Sequence, residues 1–205
     1  GASVGEILSI MPLIKYYENH QSIKQILITS STLSSSKILK KFNFKKTVHQ
    51  FYPIDHYIFV EKFLKHWKPN IAIFIESEIW PCMFKKINKF NIPLILINAR
   101  LTKKTYNNWM KIPIFSKSIF GKINIAYPQN LETKNFLKKL KLKKIQSLGN
   151  LKFIENKDKN LNQTKINLKT NFKGKSVWVA SSTHKREELF CARAHLKLKK
   201  KVKNL

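Results

Sequence analysis

Short apolar segments alternate with polar turns and amphipathic segments along most of the chain, and this alternation restricts the fold more than any other feature. Residues 70–75 and 93–97 are nearly continuous apolar runs, which are typical of parallel strands buried on both faces. Residues 57–67 instead carry apolar side chains on one helical face. The alternation predicts an α/β fold with one open parallel sheet and right-handed crossovers.

The predicted elements follow one another in a regular order. Strands are predicted at residues 25–30, 48–52, 70–75, 93–97, 123–127 and 144–148. A helix is predicted to begin within the opening segment 1–6, and further helices are predicted at 34–41, 57–67, 80–90 and 132–140.

A change of composition divides the chain. Residues 155–175 are rich in Lys, Asn, Asp, Gln and Thr with little periodicity, which predicts a linker between a domain at 1–154 and a new unit at 176–205. That unit contains a predicted strand at 176–180 and a predicted helix at 187–200. One βα unit cannot bury its own apolar face, so we interpret the chain as a fragment of a longer two-domain protein.

The net charge of +29 favours an anionic partner. A nucleic-acid-binding module is one alternative, but the chain has only three arginines for bidentate readout, and its lysines are spread over almost every predicted helix. We expect no nucleic-acid partner, and instead an anionic membrane surface or a phosphorylated substrate. Cys82 and Cys191 exclude a disulfide framework and a cysteine-rich zinc site, and the histidines form no metal-ligand pattern.

Polar residues cluster where the predicted strands end, and ligands of open α/β sheets bind beyond those carboxyl ends. A turn does not need two carboxylates, an arginine and a lysine, yet this edge carries Glu76, Glu78, Arg100 and Lys152. Small polar residues follow the strand of the second unit at Ser181, Ser182, Thr183 and His184. The pattern predicts a charged crevice.

The helix starts also have purely structural interpretations. Ser3 and Glu6 match a capping box, in which each side chain accepts a backbone N–H. Glu6 would instead accept a proton if a substrate hydroxyl approached, because a helix N-terminus favours an ionised carboxylate. Thr183 and His184 fit an N-cap as well as an anion site.

The two glutamates after the third predicted strand, Glu76 and Glu78, also have structural interpretations, and these differ between the two residues. Glu78 fits an acid at the start of a helix. Glu76 ends a buried strand and therefore needs a partner, which Arg100 or Lys152 would supply as a cation. The chain has five glycines and no Gly-x-Gly-x-x-Gly motif, which excludes a dinucleotide fingerprint and a P-loop.

Five motifs occur in an order that resembles one family, the bacterial 3-deoxy-D-manno-octulosonic acid (Kdo) transferases of lipopolysaccharide synthesis. The motifs are Ala2-Ser3-Val4-Gly5-Glu6, Glu76-Ser77-Glu78-Ile79-Trp80-Pro81, Asn98-Ala99-Arg100-Leu101, Gly149-Asn150-Leu151-Lys152-Phe153 and Ser181-Ser182-Thr183-His184. One departure from the family pattern is Arg186, where a glycine usually precedes the double acid.

The resemblance implies a glycosyltransferase B-type architecture, with two Rossmann-like domains facing each other across a cleft. It implies a lipid A precursor as acceptor on the N-terminal domain and CMP-Kdo as donor mainly on the C-terminal domain. It implies no cofactor and no metal. The location that it implies is the cytoplasmic face of the bacterial inner membrane, with an anchor upstream of residue 1.

The resemblance also implies roles for individual residues. Glu6 resembles the general base that deprotonates the acceptor hydroxyl, and one of Glu76 and Glu78 resembles the acid that pairs with Lys152. The residues implied to bind substrate are Ser3, Gly5, Arg100, Ser181, Ser182, Thr183 and His184. We expect residues 1–205 alone to be inactive because most of the donor domain is missing.

Three alternatives remain at this point. The first is another B-type transferase that uses a different nucleotide sugar. The second is the basic nucleic-acid-binding module, which would leave Glu6, Glu76 and Glu78 without a role. The third is a degenerate fragment without a function.

Overall fold

The computed structural model describes residues 4–148, 174–202 and 204–205. The chain forms two compact units, residues 1–156 and residues 157–205.

The predicted division into a domain, a linker and a βα unit stays a prediction, because the linker at 155–175 lies almost entirely outside the described residues. No helix within the described ranges is long and apolar enough to cross a membrane.

Parallel strands form the centre of the first unit. They are β1 (Ile26–Ser30), β2 (Thr47–Phe51), β3 (Ala72–Ile75), β4 (Leu94–Ala99) and β5 (Ile125–Pro128). β1 pairs with β2, and β4 lies between β3 and β5, always in parallel. The central strand β4 buries Leu94 and Leu96 on one face, and Ile97 on the other face packs against the cluster that contains the apolar residues of α1. The predicted α/β class is confirmed.

Helices connect these strands. They are α1 (Val4–Glu18), α2 (Leu33–Lys40), α3 (Tyr57–Trp67), α4 (Pro81–Lys89), α5 (Lys103–Met110), α6 (Pro113–Phe120) and α7 (Leu131–Lys139), with α8 (Glu187–Lys199) in the second unit. Thr32, Thr102 and Asn130 cap α2, α5 and α7 by accepting the N–H of the third residue that follows each of them. Pro81 and Pro113 begin α4 and α6, where a missing N–H costs nothing.

The described strands form two sheets, whereas the alternation predicted one. Within the described residues β1 and β3 are not hydrogen-bonded neighbours, because β1 pairs with β2 and β3 pairs with β4. Helix α1 joins the sheets through its apolar face. That face packs with Ile28 of β1, and Ile75 of β3 and Ile97 of β4 lie against the same cluster.

The strand predicted at residues 144–148 is wrong, because only one isolated bridge forms there, between Ile145 and Ala126 of β5. Ala126 donates its N–H to Lys144 O at 3.0 Å and accepts from Gln146 N at 3.0 Å. The next residue of β5 in this register is Pro128, which has no N–H to extend the ladder.

The strand predicted at residues 176–180 is also wrong. Ser176 N donates to Asn204 O at 2.6 Å, and the described residues provide this segment with no neighbouring strand. Helices α5 and α6 were not predicted. None of the residues of α5 is fully buried, and only Tyr106, Trp109 and Met110 of this short helix pack against the core.

The main core lies between the sheet β3-β4-β5 and its helices. Its fully buried members include Phe84 of α4, Phe120 of α6, Leu94 of β4 and Leu137 of α7. Burial of each such side chain stabilises the fold by about 1.5–3 kcal/mol. This packing fixes the edge at which β3, β4 and β5 end.

Candidate functional site

Glu76 and Asn98 lie side by side at the carboxyl edge of the sheet. Glu76 directly follows β3, and Asn98 is the last residue but one of β4. Only 6% of Glu76 and 1% of Asn98 is exposed, and Asn98 Nδ2 donates to Glu76 Oε1 over 3.2 Å. Their φ angles of 54° and 49° lie in the left-handed region, which non-glycine residues seldom adopt. Such local strain clusters at functional sites.

The backbone around this pair brings two sequence motifs together. Glu76 N donates to Ile97 O at 3.0 Å, and Arg100 N donates to Glu76 O at 3.2 Å. Ser77 Oγ then donates to Arg100 O at 2.8 Å. Residues 76–78 and 98–100, which the sequence placed at one edge, are therefore fixed next to each other.

Glu78 is held by an aromatic neighbour. Trp80 Nε1 donates to Glu78 Oε2 at 2.7 Å. The ring of Tyr52 lies 4.8 Å from the Trp80 ring, measured between centroids. A carboxylate beside an indole ring can accept from a sugar hydroxyl while the ring packs on the apolar face of the sugar.

The structure also bears on the alternative that Glu78 merely starts a helix. Helix α4 has no acid in its first turn, and its N-cap residue Trp80 makes no side-chain cap. Asp55 does this work from the loop between β2 and α3. Its carboxylate accepts from Cys82 N at 3.1 Å and from Met83 N at 2.8 Å. Glu78 is therefore not the cap of α4.

Tyr52 is buried behind Trp80. Its hydroxyl is inaccessible and has no hydrogen-bond partner among the described residues. Burial, together with the nearby carboxylates of Asp55 and Glu78, raises the pKa of Tyr52 far above its ordinary value. Tyr52 therefore stays neutral and forms an apolar wall behind Trp80.

Glu6 lies in the first turn of α1 and is half-buried. Ser9 Oγ donates to the backbone oxygen of Glu6 at 2.7 Å. Helix α1 packs against Ile75 and Ile97, the residues that directly precede Glu76 and Asn98. A helix that leads into a parallel strand runs back along the sheet, so the first turn of α1 lies toward the carboxyl edge.

Other predicted residues of the first unit are placed only in part. Gly5 is exposed in α1, and Arg100 is exposed but contacts residues 76–77 through its backbone. Ser3 and Lys152 lie outside the described residues. The capping box at Ser3 and the pairing of Lys152 with a glutamate therefore stay predictions.

The predicted donor-side residues lie in the second unit. Ser181, Ser182 and His184 are exposed, and Thr183 is half-exposed. Thr183 Oγ1 donates to Glu188 Oε1 at 3.2 Å, and His184 N donates to Glu187 Oε2 at 2.8 Å.

The N-cap interpretation of Thr183 and His184 is wrong. Helix α8 begins at Glu187, and its N-cap residue is Arg186, which has a left-handed φ of 85° and no side-chain cap. The acids of α8 instead bind back onto the residues that precede the helix. The anion-site interpretation of residues 181–184 stays a prediction.

Asp55 and Tyr52 were not predicted as parts of this edge. The carboxylate of Asp55 accepts hydrogen bonds from Cys82 and Met83, which lie 27 and 28 residues further along the chain. No local sequence pattern predicts such a long-range contact. Among the residues that the structure describes, no three His, Cys, Asp or Glu side chains are grouped to hold a metal ion.

Several curated proteins resemble this chain along most of its length. The 3-deoxy-D-manno-octulosonic acid transferase of Rickettsia felis is 38% identical over 191 residues, covering 91% of this chain and 40% of that protein. The transferase of the same name from Haemophilus influenzae is 27% identical over 207 residues, covering 100% of this chain and 48% of that protein. A probable mitochondrial 3-deoxy-D-manno-octulosonic acid transferase of Arabidopsis thaliana is 31% identical and covers 91% of this chain and 43% of that protein.

The chain thus spans less than half the length of these relatives. The family model for 3-deoxy-D-manno-octulosonic-acid transferase (kdotransferase) matches residues 1–155, which include α1, both sheets and the Glu76–Asn98 pair. This match covers well over half of the chain and confirms the resemblance drawn from the motifs. The chain belongs to the Kdo transferase family.

Proposed function

We propose that the protein to which this chain belongs transfers Kdo from CMP-Kdo to a lipid A precursor, and that the first unit binds the acceptor. The observation that carries the proposal is the buried Glu76–Asn98 pair beside Glu78, at the sheet edge of a chain in this family. A carboxylate held in a strained, buried position at a ligand-binding edge is typical of a functional site.

In this scheme Glu6 is the general base. Its carboxylate takes the proton of an acceptor hydroxyl, and the freed oxygen attacks the anomeric carbon of Kdo. The bond between that carbon and the CMP phosphate breaks, and CMP leaves with the electron pair. The position of Glu6 supports this role, because the first turn of α1 lies toward the same carboxyl edge of the sheet as Glu76 and Asn98.

The other carboxylates position the acceptor. Glu76 is fixed by Asn98, whereas Glu78 is oriented by Trp80 and would accept from a sugar hydroxyl or pair with Lys152. Ser3, Gly5 and Arg100 complete the acceptor side. Residues 181–184 belong to the donor side, where their hydroxyl and backbone N–H groups would hold the phosphate of CMP-Kdo.

The reaction requires no cofactor beyond the donor substrate, and we place it at the cytoplasmic face of the inner membrane. The lipid acceptor brings the enzyme to an anionic surface, which suits a net charge of +29.

The test is transfer by the full-length enzyme, assayed with CMP-Kdo and with a panel of other activated sugars on a lipid A precursor. We expect transfer from CMP-Kdo alone. Preference for another nucleotide sugar would overturn the donor assignment, and no transfer from any of them would overturn the proposal. Purified residues 1–205 are expected to show no transfer, and measurable turnover would refute the need for the donor half.

A further inference from the structure

The backbone around Arg100 is bonded to the segments that follow the strands on both sides of β4. On the β3 side, Arg100 N donates to Glu76 O at 3.2 Å, and Ser77 Oγ donates to Arg100 O at 2.8 Å. On the β5 side, Gln129 N donates to Ala99 O at 3.1 Å. The end of β4 is therefore held at the acceptor edge from two directions.

Thr133 adds a further contact from the first turn of α7. Its side chain is fully buried, and its Oγ1 accepts from Leu101 N at 3.1 Å and donates to Leu101 O at 3.4 Å. One hydroxyl thus binds both backbone groups of the residue that follows Arg100. Leu101 is only 4% exposed, so water would replace this hydroxyl poorly.

The start of α7 does not itself require the hydroxyl of Thr133. Asn130 caps this helix, because its Oδ1 accepts from Thr133 N at 2.8 Å. A buried hydroxyl costs free energy unless it is hydrogen-bonded, and this one bonds to Leu101, 32 residues away in the chain. The hydroxyl therefore stabilises the backbone after Arg100 and not the cap of α7.

Arg100 presents a cation at this edge. Its side chain is exposed, and within the described part of the chain no carboxylate forms an ion pair with its guanidinium. A guanidinium binds a carboxylate or a phosphate through two parallel N–H groups, so its direction matters more than that of an ammonium. A fixed backbone also reduces the entropy that is lost when the side chain binds.

We propose that Thr133 is a positioning residue for Arg100. Its buried hydroxyl fixes the peptide after Arg100, so that the guanidinium meets an anionic group of the acceptor. This consequence rests on the acceptor role that the proposed function gives to Arg100, whereas the contact between Thr133 and Leu101 does not. Because Thr133 is fully buried, it touches no substrate and acts on the reaction through Arg100.

Acceptor kinetics of the full-length enzyme separate the effect of the hydroxyl from the stability of the fold. Thr133→Val removes the hydroxyl and keeps a branched side chain of similar size, whereas Thr133→Ser keeps the hydroxyl and loses a buried methyl group. We expect Thr133→Val to raise the KM for the acceptor about tenfold with kcat nearly unchanged. Thr133→Ser should keep a normal KM even where its melting temperature falls, which a purely structural role would not produce.

Two further variants complete the kinetic test. The matched control is Thr105→Val, because Thr105 also lies three residues after the cap of its helix and its hydroxyl contacts that cap, Thr102. This control should keep a normal KM. In an Arg100→Ala enzyme, adding Thr133→Val should not raise the KM further, because the effect passes through the guanidinium. A normal KM for Thr133→Val, or an equal increase in the Arg100→Ala enzyme, would overturn the proposal.

Hydrogen exchange at the Leu101 N–H tests the contact without any transfer reaction. We expect Thr133→Val to speed this exchange at least about tenfold, and Thr133→Ser and Thr105→Val to leave it unchanged. Unchanged exchange in Thr133→Val would refute the proposal whether or not the enzyme transfers Kdo. Faster exchange in an enzyme whose acceptor KM is unaffected by Arg100→Ala would count against the proposed acceptor role of Arg100 and leave the contact between Thr133 and Leu101 standing.

Discussion

Replacing Asp55 with alanine tests how the edge around Glu78 is held in place. The Asp55 carboxylate receives the N–H groups of Cys82 and Met83 at the start of α4, where no local residue caps the helix. Asp55→Ala leaves both donors without their acceptor. Asp55→Asn keeps one side-chain oxygen and removes the negative charge.

The contacts set the size of the effect. Replacing a capping side chain with alanine costs about 0.5–2 kcal/mol, and a negative charge at a helix start adds about 0.3–1 kcal/mol. Asp55 is half-buried and Met83 is buried, so water replaces these bonds poorly. We expect Asp55→Ala to lower the free energy of unfolding by about 2–3 kcal/mol and Asp55→Asn by about 1 kcal/mol.

Urea unfolding followed by circular dichroism measures both variants, and the melting temperature should fall by about 2–4 °C per kcal/mol. The matched control is Glu132→Ala, an exposed first-turn acid of α7, where Asn130 makes the cap. We expect the control to change stability by less than about 0.5 kcal/mol. If Asp55→Ala were as stable as the control, Asp55 would not hold α4.

Substitutions at three further positions test the surroundings of the site. Hydrogen bonds from Lys86, and secondly from Lys65, lower the pKa of Glu61 to about 2. The contribution of ionised Glu61 to the free energy of unfolding is therefore complete above about pH 5 and is lost as the pH falls toward 2. Glu61→Gln should remove that part of the pH dependence of unfolding, and an unchanged acid unfolding curve would contradict the assignment. Tyr52→Phe should keep or slightly raise the melting temperature, because the hydroxyl has no partner among the described residues; a clear loss would reveal one. Asn98→Ala should lower the free energy of unfolding by about 2–4 kcal/mol, since Glu76 loses a buried donor and alanine tolerates the left-handed backbone poorly. Asn98→Gly should lower the free energy of unfolding by less, because glycine adopts this backbone without strain. Equal losses by the two variants would exclude a backbone contribution.

The sequence predicts those parts of the fold that a local pattern encodes. Helix α3 occupies residues 57–67 as predicted, because its apolar period is regular and Lys68 ends it in a left-handed conformation just before Pro69. Helices α5 and α6 were not predicted because their apolar residues do not mark a buried face. No residue of α5 is fully buried, and α6 begins with apolar residues that are exposed.

Long-range contacts account for what the sequence could not predict about the site. The motifs place Glu76 and Asn98 near one edge, but the left-handed backbone and the contact between the two side chains arise only when β3 and β4 pair. The role of Asp55 likewise depends on the packing of α3 against α4 across 27 residues. The strand predicted at 144–148 does not form beyond one bridge, because Pro128 of the neighbouring strand β5 has no N–H to extend the ladder.

The central claim is that Glu6 removes the proton of the acceptor hydroxyl, and turnover of the full-length enzyme with Glu6→Gln tests it most directly. The matched control is Glu132→Gln, which replaces another first-turn acid of the same unit. We predict that Glu6→Gln lowers turnover by about 10²–10⁴-fold with little change in melting temperature, while the control keeps normal turnover. Near-normal turnover by Glu6→Gln would contradict the account.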